Sequence, residues 1–249
     1  MLSCALFAMR VRRMKRVEIQ PRFEHKKLAK LLGGAKNQRF SRSLNTKVQI
    51  WKDRLNSLMK PRLFYRVEEI SAAGKGAVRL NEHIAFKSPK LAKSLKNAEK
   101  IVCFVGTIGT EVEREIKKLL REHQLAEAYI LDALGSVAVE SMVDQFQQHM
   151  EEKSRRESET VTLRFSPGYC DWPITEQKKL FRVFDPEKMG VELLDSCLMQ
   201  PRKSISGVFG IAPKGSVPYN PCLDCERSGC EARRHQQATP PSNCAENLH

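Results

Sequence analysis

The segment Lys100-Ile-Val-Cys-Phe-Val-Gly-Thr-Ile-Gly-Thr110 decides the fold of this 249-residue chain. Its first six residues, which are apolar from Ile101 onward, are typical of a buried β-strand. Gly106–Gly109 predicts a tight turn, and Thr110 predicts the N-cap of the next helix. Glu113, three residues after Thr110, would complete a capping box. The unit matches neither the Rossmann fingerprint nor the P-loop, so it does not by itself indicate a phosphate site.

A long helix is predicted downstream, from Glu127 to about Glu152. Its apolar residues recur at helical spacing, which predicts the face that packs on the core. These residues are Leu131, Leu134, Ala138, Met142 and Phe146. Asp132 and Glu140 lie eight residues apart, about two turns, and therefore project from nearly one face. Periodicity does not decide whether this pair faces solvent or a cleft.

Shorter elements surround the predicted strand at 100–105 and the predicted long helix. Strands are predicted at Arg62–Val67, Thr160–Phe165, Gly190–Asp195 and Ser204–Ile211, with helices at 88–98 and about 175–184. They alternate without a steady βαβ rhythm, which predicts an α+β fold with a mainly antiparallel, twisted sheet and long flanking helices. Three regions are expected: a basic N-terminal arm or helical segment (1–60), a ligand-binding domain (61–213) and a cysteine-rich tail (214–249).

The formal net charge of +14 is concentrated near the N-terminus. Residues 1–66 hold 18 Lys and Arg against 3 Asp and Glu, and the remainder is close to neutral. Such an arm favours an acidic partner, whether nucleic acid, an anionic membrane surface or an acidic protein. A solvated arm that adds solubility explains it equally well. The rest of the chain does not favour nucleic-acid binding, because it is neutral and poor in aromatic residues.

The sequence predicts a cytoplasmic protein. No apolar run approaches the roughly 20 residues that cross a bilayer. In residues 1–9 the apolar stretch comes before the basic residues, whereas in a secretory signal it comes after them. The stretch also lacks a small-residue cleavage site. Of the eight cysteines, four lie at or after position 222, which predicts a reduced compartment and a metal or redox site rather than a disulfide framework.

The segment Cys222-Leu-Asp-Cys225-Glu-Arg-Ser-Gly-Cys230 carries the densest group of thiols. Three thiols in nine residues suit zinc or an iron–sulfur cluster, and the spacing does not separate the two. The fourth ligand would be Cys244, Cys170, Cys197 or an external molecule. The alternative is a tail with incidental thiols. The histidines show no ligand or triad pattern, and no catalytic residue is predicted.

The segment Arg164-Phe-Ser-Pro-Gly-Tyr169 follows a predicted strand. Arg164 offers a planar fork suited to a carboxylate. Gly168 lets the backbone approach a ligand, and Tyr169 offers a stacking face with a hydroxyl. From composition alone, a structural turn is the alternative interpretation.

The wider sequence resembles the activation domain of cobalamin-dependent methionine synthase, in particular its free-standing relatives with a cysteine-rich end. The resemblance covers roughly residues 100–234, and Arg-x-x-Pro-Gly-Tyr is its most specific part. It is carried by the segments Leu131–Glu140, Arg164–Pro173, Gly190–Leu193 and Met199–Ser206. Cys170 stands where the relatives usually have a small residue such as glycine.

The resemblance implies that the chain binds S-adenosylmethionine. Arg164 would hold the methionine carboxylate, and Glu140 and Asp132 would face the cationic end of the ligand or its ribose. Backbone and ring contacts would come from Ser166, Gly168 and Tyr169. A ligand role for Tyr219 is not carried over, because the chain departs from the larger enzymes in that region.

In that family the ligand methylates cobalamin after one-electron reduction of cob(II)alamin. No Asp-x-His-x-x-Gly corrinoid motif occurs in this sequence. The resemblance therefore implies a separate corrinoid-binding protein or methyltransferase subunit as partner, with flavodoxin or ferredoxin as the electron donor. Two other functions stay open: a non-catalytic metal-binding adaptor or regulator, and an iron–sulfur corrinoid reductase.

Overall fold

The computed structural model describes residues 13–33, 40–217 and 219–224. The strands are β1 Lys15–Val17, β2 Arg62–Glu69, β3 Ala72–Gly74, β4 Ala77–Arg79, β5 Ala85–Lys87, β6 Lys100–Thr107, β7 Glu159–Val161, β8 Glu192–Leu193, β9 Met199–Gln200 and β10 Ser204–Pro213. The helices are α1 His25–Leu31, α2 Arg42–Leu58, α3 Pro89–Ser94, α4 Glu111–Arg121, α5 Leu125–Arg156, α6 Gln177–Phe181 and α7 Pro186–Met189, with a 3-10 turn at Ile174–Glu176.

Within these residues the main sheet has the order β1-β2-β6-β10-β7, and every neighbouring pair is antiparallel. Two small sheets, β3-β4-β5 and β8-β9, accompany it. Helices α1, α2 and α4 pack against the long helix α5 on one side of the sheet. The predicted α+β fold with a mainly antiparallel sheet and long flanking helices is confirmed.

Strand β6 is central and buried on both faces, which explains its unbroken apolar run. Ile101, Cys103 and Val105 face one core cluster. Val102 and Phe104 face the other. This alternation follows from the two-residue period of a strand. The predicted buried strand is confirmed.

Helix α5 covers one face of the sheet with the predicted apolar stripe, and all five stripe residues are buried. The Phe146 ring lies 6.2 Å from the Phe104 ring and 5.9 Å from the Phe209 ring, measured between centroids. Although α5 has 32 residues, neither it nor any other helix of the described residues is long and apolar enough to cross a membrane.

The N-terminal region contributes to the same core. Strand β1 pairs with β2, and Leu28 and Leu55 are buried in the cluster that includes the α5 stripe. Part of the excess positive charge is neutralised there, because Lys47 forms an ion pair with Glu127 and Arg54 with Glu115. The described parts of 1–60 thus pack on the domain predicted for 61–213. The boundaries stay predictions.

The predicted capping box is wrong. Gly106 and Thr107 continue β6, and the chain turns at Gly109, whose φ is +89°. Thr110 occupies the N-cap of α4, but its side chain makes no capping hydrogen bond. The Glu113 carboxylate instead accepts a hydrogen bond from the Arg202 backbone N–H at 3.1 Å and forms an ion pair with Lys117. Glu113 therefore bonds to Arg202, which is distant in sequence, rather than to the N-cap residue Thr110.

Several predicted elements are shorter than expected. The strand predicted at 160–165 ends as β7 at Val161, and Phe165 then forms an isolated bridge with Val208 of β10. The helix predicted at about 175–184 is divided into the 3-10 turn and α6, and the strand predicted at 190–195 is only β8. These segments cover the sheet face opposite α5, together with α3 and the β3-β4-β5 sheet.

Candidate functional site

The candidate ligand segment is attached to the sheet at Phe165. Phe165 and Val208 exchange two backbone hydrogen bonds, each 2.8 Å long. This approach requires a glycine next to Val208. A Cβ at Gly207 would lie 2.5 Å from the Phe165 carbonyl oxygen and 2.9 Å from Ser166 Oγ. Sequence reasoning did not identify Gly207, because only the pairing of the two strands shows what it meets.

The Pro-Gly-Tyr segment forms a closed turn. The Gly168 N–H donates to the Trp172 carbonyl at 2.8 Å, and the Tyr169 N–H donates to the Ser166 carbonyl at 3.2 Å. Gly168 has a φ of +90°, a conformation that favours glycine, and a Cβ there would lie 3.2 Å from Ile174. Tyr169 is 56% exposed. A ring presented to solvent by a fixed turn is available to a ligand.

The turn is tied to the beginning of α3. Asp171 accepts hydrogen bonds from the Ser88 hydroxyl and from the Lys90 backbone N–H. Trp172 is buried and packs edge-on against Phe86, with 5.4 Å between the ring centroids. Sequence reasoning missed Ser88 and Asp171. The signal for Ser88 was its position as an N-cap before Pro89, but nothing local indicated its partner.

Arg164 reaches across to α5. Its Nη2 lies 2.9 Å from Glu140 Oε2, and its Nη1 lies 3.0 Å from Asp144 Oδ1. The Arg164 side chain is 14% exposed, so these ion pairs are largely shielded from solvent. The structure therefore brings together two of the predicted site residues, Arg164 and Glu140. It adds Asp144, which the spacing of four residues from Glu140 would have indicated.

Asp144 also connects the site to the N-terminal region. Its Oδ2 lies 2.6 Å from Lys27 Nζ, which in turn contacts Glu24 at 2.8 Å. Burial lowers the pKa of Lys27, but hydrogen bonds to Asp144 and Glu24 raise it more, and the net shift is upward. Lys27 therefore stays charged and adds a second cation beside the Arg164 guanidinium.

Asp132 lies apart from Arg164. Its carboxylate lies 2.8 Å from Lys203 Nζ, which also donates to Ser136 Oγ at 2.9 Å. The Lys203 stem passes over Gly135, where a Cβ would lie 3.3 Å from Lys203 Cε. Asp132 is thus paired with Lys203, about two helical turns along α5 from Glu140, the partner of Arg164.

A cavity of about 600 Å³ lies elsewhere, between α4 and the segment that carries α7, β8 and β9. Its lining includes Glu113, Arg114, Lys117, Gly190 and Pro201. None of the predicted ligand residues lines it. The candidate site around Arg164 is a surface formed by a turn and a helix face rather than this cavity.

The predicted metal ligands are described only in part. Cys222 is half-buried, whereas Cys225 and Cys230 lie outside the described residues. Within the described ranges, no three His, Cys, Asp or Glu side chains form a group that could hold a metal ion. Burial raises the pKa of the Cys103 thiol far above its ordinary range, and this thiol lies inside the central strand.

Tyr219, just before the cysteine cluster, and Asp224, between its first two cysteines, contact α3. The Tyr219 hydroxyl lies 3.0 Å from Asp224 Oδ2, which forms an ion pair with Lys93 at 2.7 Å. Lys93 Nζ also lies 4.3 Å from the centre of the Tyr219 ring. Burial raises the pKa of Tyr219 to about 12, with further contributions from Asp224, Asp171 and Cys170.

Comparison with known proteins identifies the family. Residues 41–220, well over half of the chain, match the model of the vitamin B12 dependent methionine synthase activation domain. A crystal structure of the MetH reactivation domain bound to AdoHcy has the same fold, with a TM-score of 0.60. It is 17% identical in sequence, and the alignment covers 84% of this chain and 81% of that one. Among curated proteins the comparison gives no significant match. The chain belongs to the family of vitamin B12-dependent methionine synthase activation domains.

Proposed function

We propose that this chain binds S-adenosylmethionine at the turn Arg164–Tyr169 and thereby supports reductive methylation of cob(II)alamin on a separate corrinoid protein. The observation that carries the proposal is the family match over 41–220, which includes the whole Arg-x-x-Pro-Gly-Tyr segment. A methyltransferase subunit or corrinoid-binding protein is the expected partner. Flavodoxin or ferredoxin is the expected electron donor.

The charges around Arg164 fit a ligand that carries both a carboxylate and a sulfonium. The guanidinium provides paired donors for the carboxylate. Glu140 keeps 46% of its side chain exposed, so it can turn from Arg164 toward a cation without losing its hydration. Asp144, which Lys27 also holds, keeps Arg164 in place while Glu140 moves.

The chain needs no general base for this role. S-Adenosylmethionine supplies an electrophilic methyl group, and reduced cobalamin supplies the nucleophile. The turn and α5 hold the ligand so that its methyl group faces the partner. Tyr169, which is exposed, would cover one side of the ligand.

Calorimetry with S-adenosylmethionine tests the proposal. We expect micromolar binding by the wild-type chain. Arg164→Ala should weaken it about 10- to 150-fold, the equivalent of about 1.5–3 kcal/mol for hydrogen bonds to a charged group. Circular dichroism should verify that the variant is folded.

Arg114→Ala is the matched control. Arg114 is also ion-paired, with Glu111, but lines the 600 Å³ cavity. Unchanged binding by this variant is expected. Weakened binding by Arg114→Ala alone would place the ligand in the cavity, and no binding by folded wild-type protein would favour a non-catalytic adaptor.

We also propose a metal site in the tail, with Cys222, Cys225 and Cys230 as ligands. Its support is the spacing of the three thiols together with the arginines that follow at 233 and 234. Metal analysis of purified protein tests it. Iron with sulfide and visible absorbance bleached by dithionite would favour the corrinoid reductase, and zinc would indicate a structural site.

A further inference from the structure

The N-terminal segment 20–31 lies against α5 beside the candidate site. The Arg22 backbone N–H donates to Ser141 Oγ at 2.9 Å, and Gln145 Nε2 donates to the Gln20 carbonyl at 3.1 Å. Ser141 and Gln145 each directly follow one of the two acidic residues that pair with the guanidinium of the site. The segment is therefore fixed next to the ion pairs of the site.

Helix α1, which belongs to this segment, lies outside the part of the chain that matches the family. The match begins at residue 41, whereas α1 ends at Leu31. The family match therefore assigns no role to α1 or to Lys27, the residue of α1 that reaches the site. Lys27 thus brings a charge to the site from beyond the matched region.

Lys27 and Arg164 divide the Asp144 carboxylate between them. Lys27 Nζ lies 2.6 Å from Asp144 Oδ2, and Arg164 Nη1 lies 3.0 Å from Asp144 Oδ1. A carboxylate with both oxygens available can bond to two guanidinium nitrogens at once. Because Lys27 holds Oδ2, Asp144 presents Oδ1 to the guanidinium, and Nη2 pairs with Glu140 at 2.9 Å.

Glu140 is the partner of Arg164 that a ligand carboxylate can replace. Asp144 would have to leave two cations, whereas Glu140 is the more exposed of the two and can turn to solvent. The Lys27 charge also offsets that of Asp144, so the guanidinium attracts an incoming carboxylate more strongly than it would beside Asp144 alone. Glu24, which also pairs with Lys27, is largely exposed, so solvent screens much of its charge.

We propose that Lys27 is a positioning residue of the site, which holds Asp144 so that the Arg164 guanidinium stays available to the carboxylate of the ligand. This inference rests on the S-adenosylmethionine site proposed above. Lys27 itself need not touch the ligand. Its effect should therefore depend on the ligand carboxylate, whereas a merely structural role of α1 would act on every ligand alike.

Calorimetry of the full chain with two ligands tests the inference. Lys27→Met removes the charge and keeps a long side chain. It should weaken S-adenosylmethionine binding about 3- to 5-fold, the upper end of what a partly exposed ion pair contributes. Decarboxylated S-adenosylmethionine keeps the sulfonium but lacks the carboxylate, so wild-type protein and Lys27→Met should bind it equally. Lys27→Arg, which keeps the charge, should recover most of the affinity for S-adenosylmethionine.

Lys47→Met is the matched control. Lys47 also comes from the N-terminal region, is similarly exposed, and pairs with an acidic residue of α5, Glu127, at 2.7 Å. Glu127 lies about 25 Å from Asp144 along the helix, at about 1.5 Å per residue. Binding of S-adenosylmethionine by Lys47→Met should therefore be unchanged.

Two results would overturn the role of Lys27 while leaving the ligand site intact. In one, Lys27→Met binds S-adenosylmethionine as tightly as wild-type protein does. In the other, it binds both ligands more weakly by the same factor. Displacement of S-adenosylmethionine measures the second ligand where its binding is weak. Folded wild-type protein that bound neither ligand would overturn the proposed site and the role of Lys27 with it.

Discussion

Replacing Gly207 with alanine is expected to damage both the fold and the ligand turn, although Gly207 need not touch the ligand. The new methyl carbon would lie 2.5 Å from the Phe165 carbonyl oxygen, 2.8 Å from Phe104 Cζ and 2.9 Å from Ser166 Oγ. Backbone cannot move out of the way as a flexible side-chain end can. The bridge between Phe165 and Val208 should therefore open, and the turn that follows Ser166 should shift.

The magnitude follows from these contacts. Two backbone hydrogen bonds of 2.8 Å would be lost or stretched, at about 1 kcal/mol each. Overpacking against Phe104 adds about 1–3 kcal/mol. Alanine recovers about 0.5–1 kcal/mol relative to glycine within a strand. The net loss of unfolding free energy is about 2–4.5 kcal/mol, which lowers the melting temperature of a domain this size by about 4–18 °C.

Urea denaturation followed by circular dichroism measures this loss, and calorimetry measures S-adenosylmethionine binding by the same variant. Gly74→Ala is the control, because nothing lies within 4 Å of a Cβ at that strand position. It should unfold at nearly the wild-type urea concentration. If Gly207→Ala unfolded there too and bound the ligand equally well, the close approach at β10 would not position the turn.

Three further predictions concern stability. Ser88→Ala should lower the unfolding free energy by about 1–2 kcal/mol, because the Ser88 hydroxyl caps α3. Urea denaturation should show a smaller loss for Ser41→Ala, because Ser41 is an exposed cap of α2. Burial raises the pKa of Cys103 above its unfolded value of about 8.5, so the folded state retains its proton where the unfolded state loses it. The unfolding free energy should therefore fall as the pH rises past about 8.5, by up to about 1.4 kcal/mol per pH unit. Cys103→Ala, denatured in parallel between pH 7 and 10, should lack this component. Lys203→Met should cost only about 1 kcal/mol in thermal unfolding, because Asp132 is 46% exposed and stays hydrated; a loss several times larger would contradict this.

The sequence predicted those strands and helices whose apolar residues repeat at a regular spacing. The apolar run of β6 and the stripe of α5 were identified because each repeats over several residues at the period of its element. The capping box failed for the converse reason. Glu113 has the local spacing for a cap, but the Arg202 backbone N–H, 89 residues away in sequence, competes for its carboxylate.

The sequence predicted the motif of the candidate site, but not the residues that hold that motif in place. The resemblance singled out Arg164 and Glu140, which the structure places in contact. Asp132, which the resemblance implied as a ligand contact together with Glu140, forms an ion pair with Lys203. Lys27, the partner of Asp144, and Ser88, the partner of Asp171, come from segments distant in sequence, and no local pattern indicates such contacts.

The most direct measurement is a crystal structure of the full chain with S-adenosylmethionine. We predict that the amino-acid carboxylate of the ligand lies within hydrogen-bond distance of the Arg164 guanidinium, that Glu140 has turned toward the cationic end, and that Tyr169 contacts the ligand. A ligand bound in the cavity beside α4, with Arg164 still paired to both Glu140 and Asp144, would contradict the account.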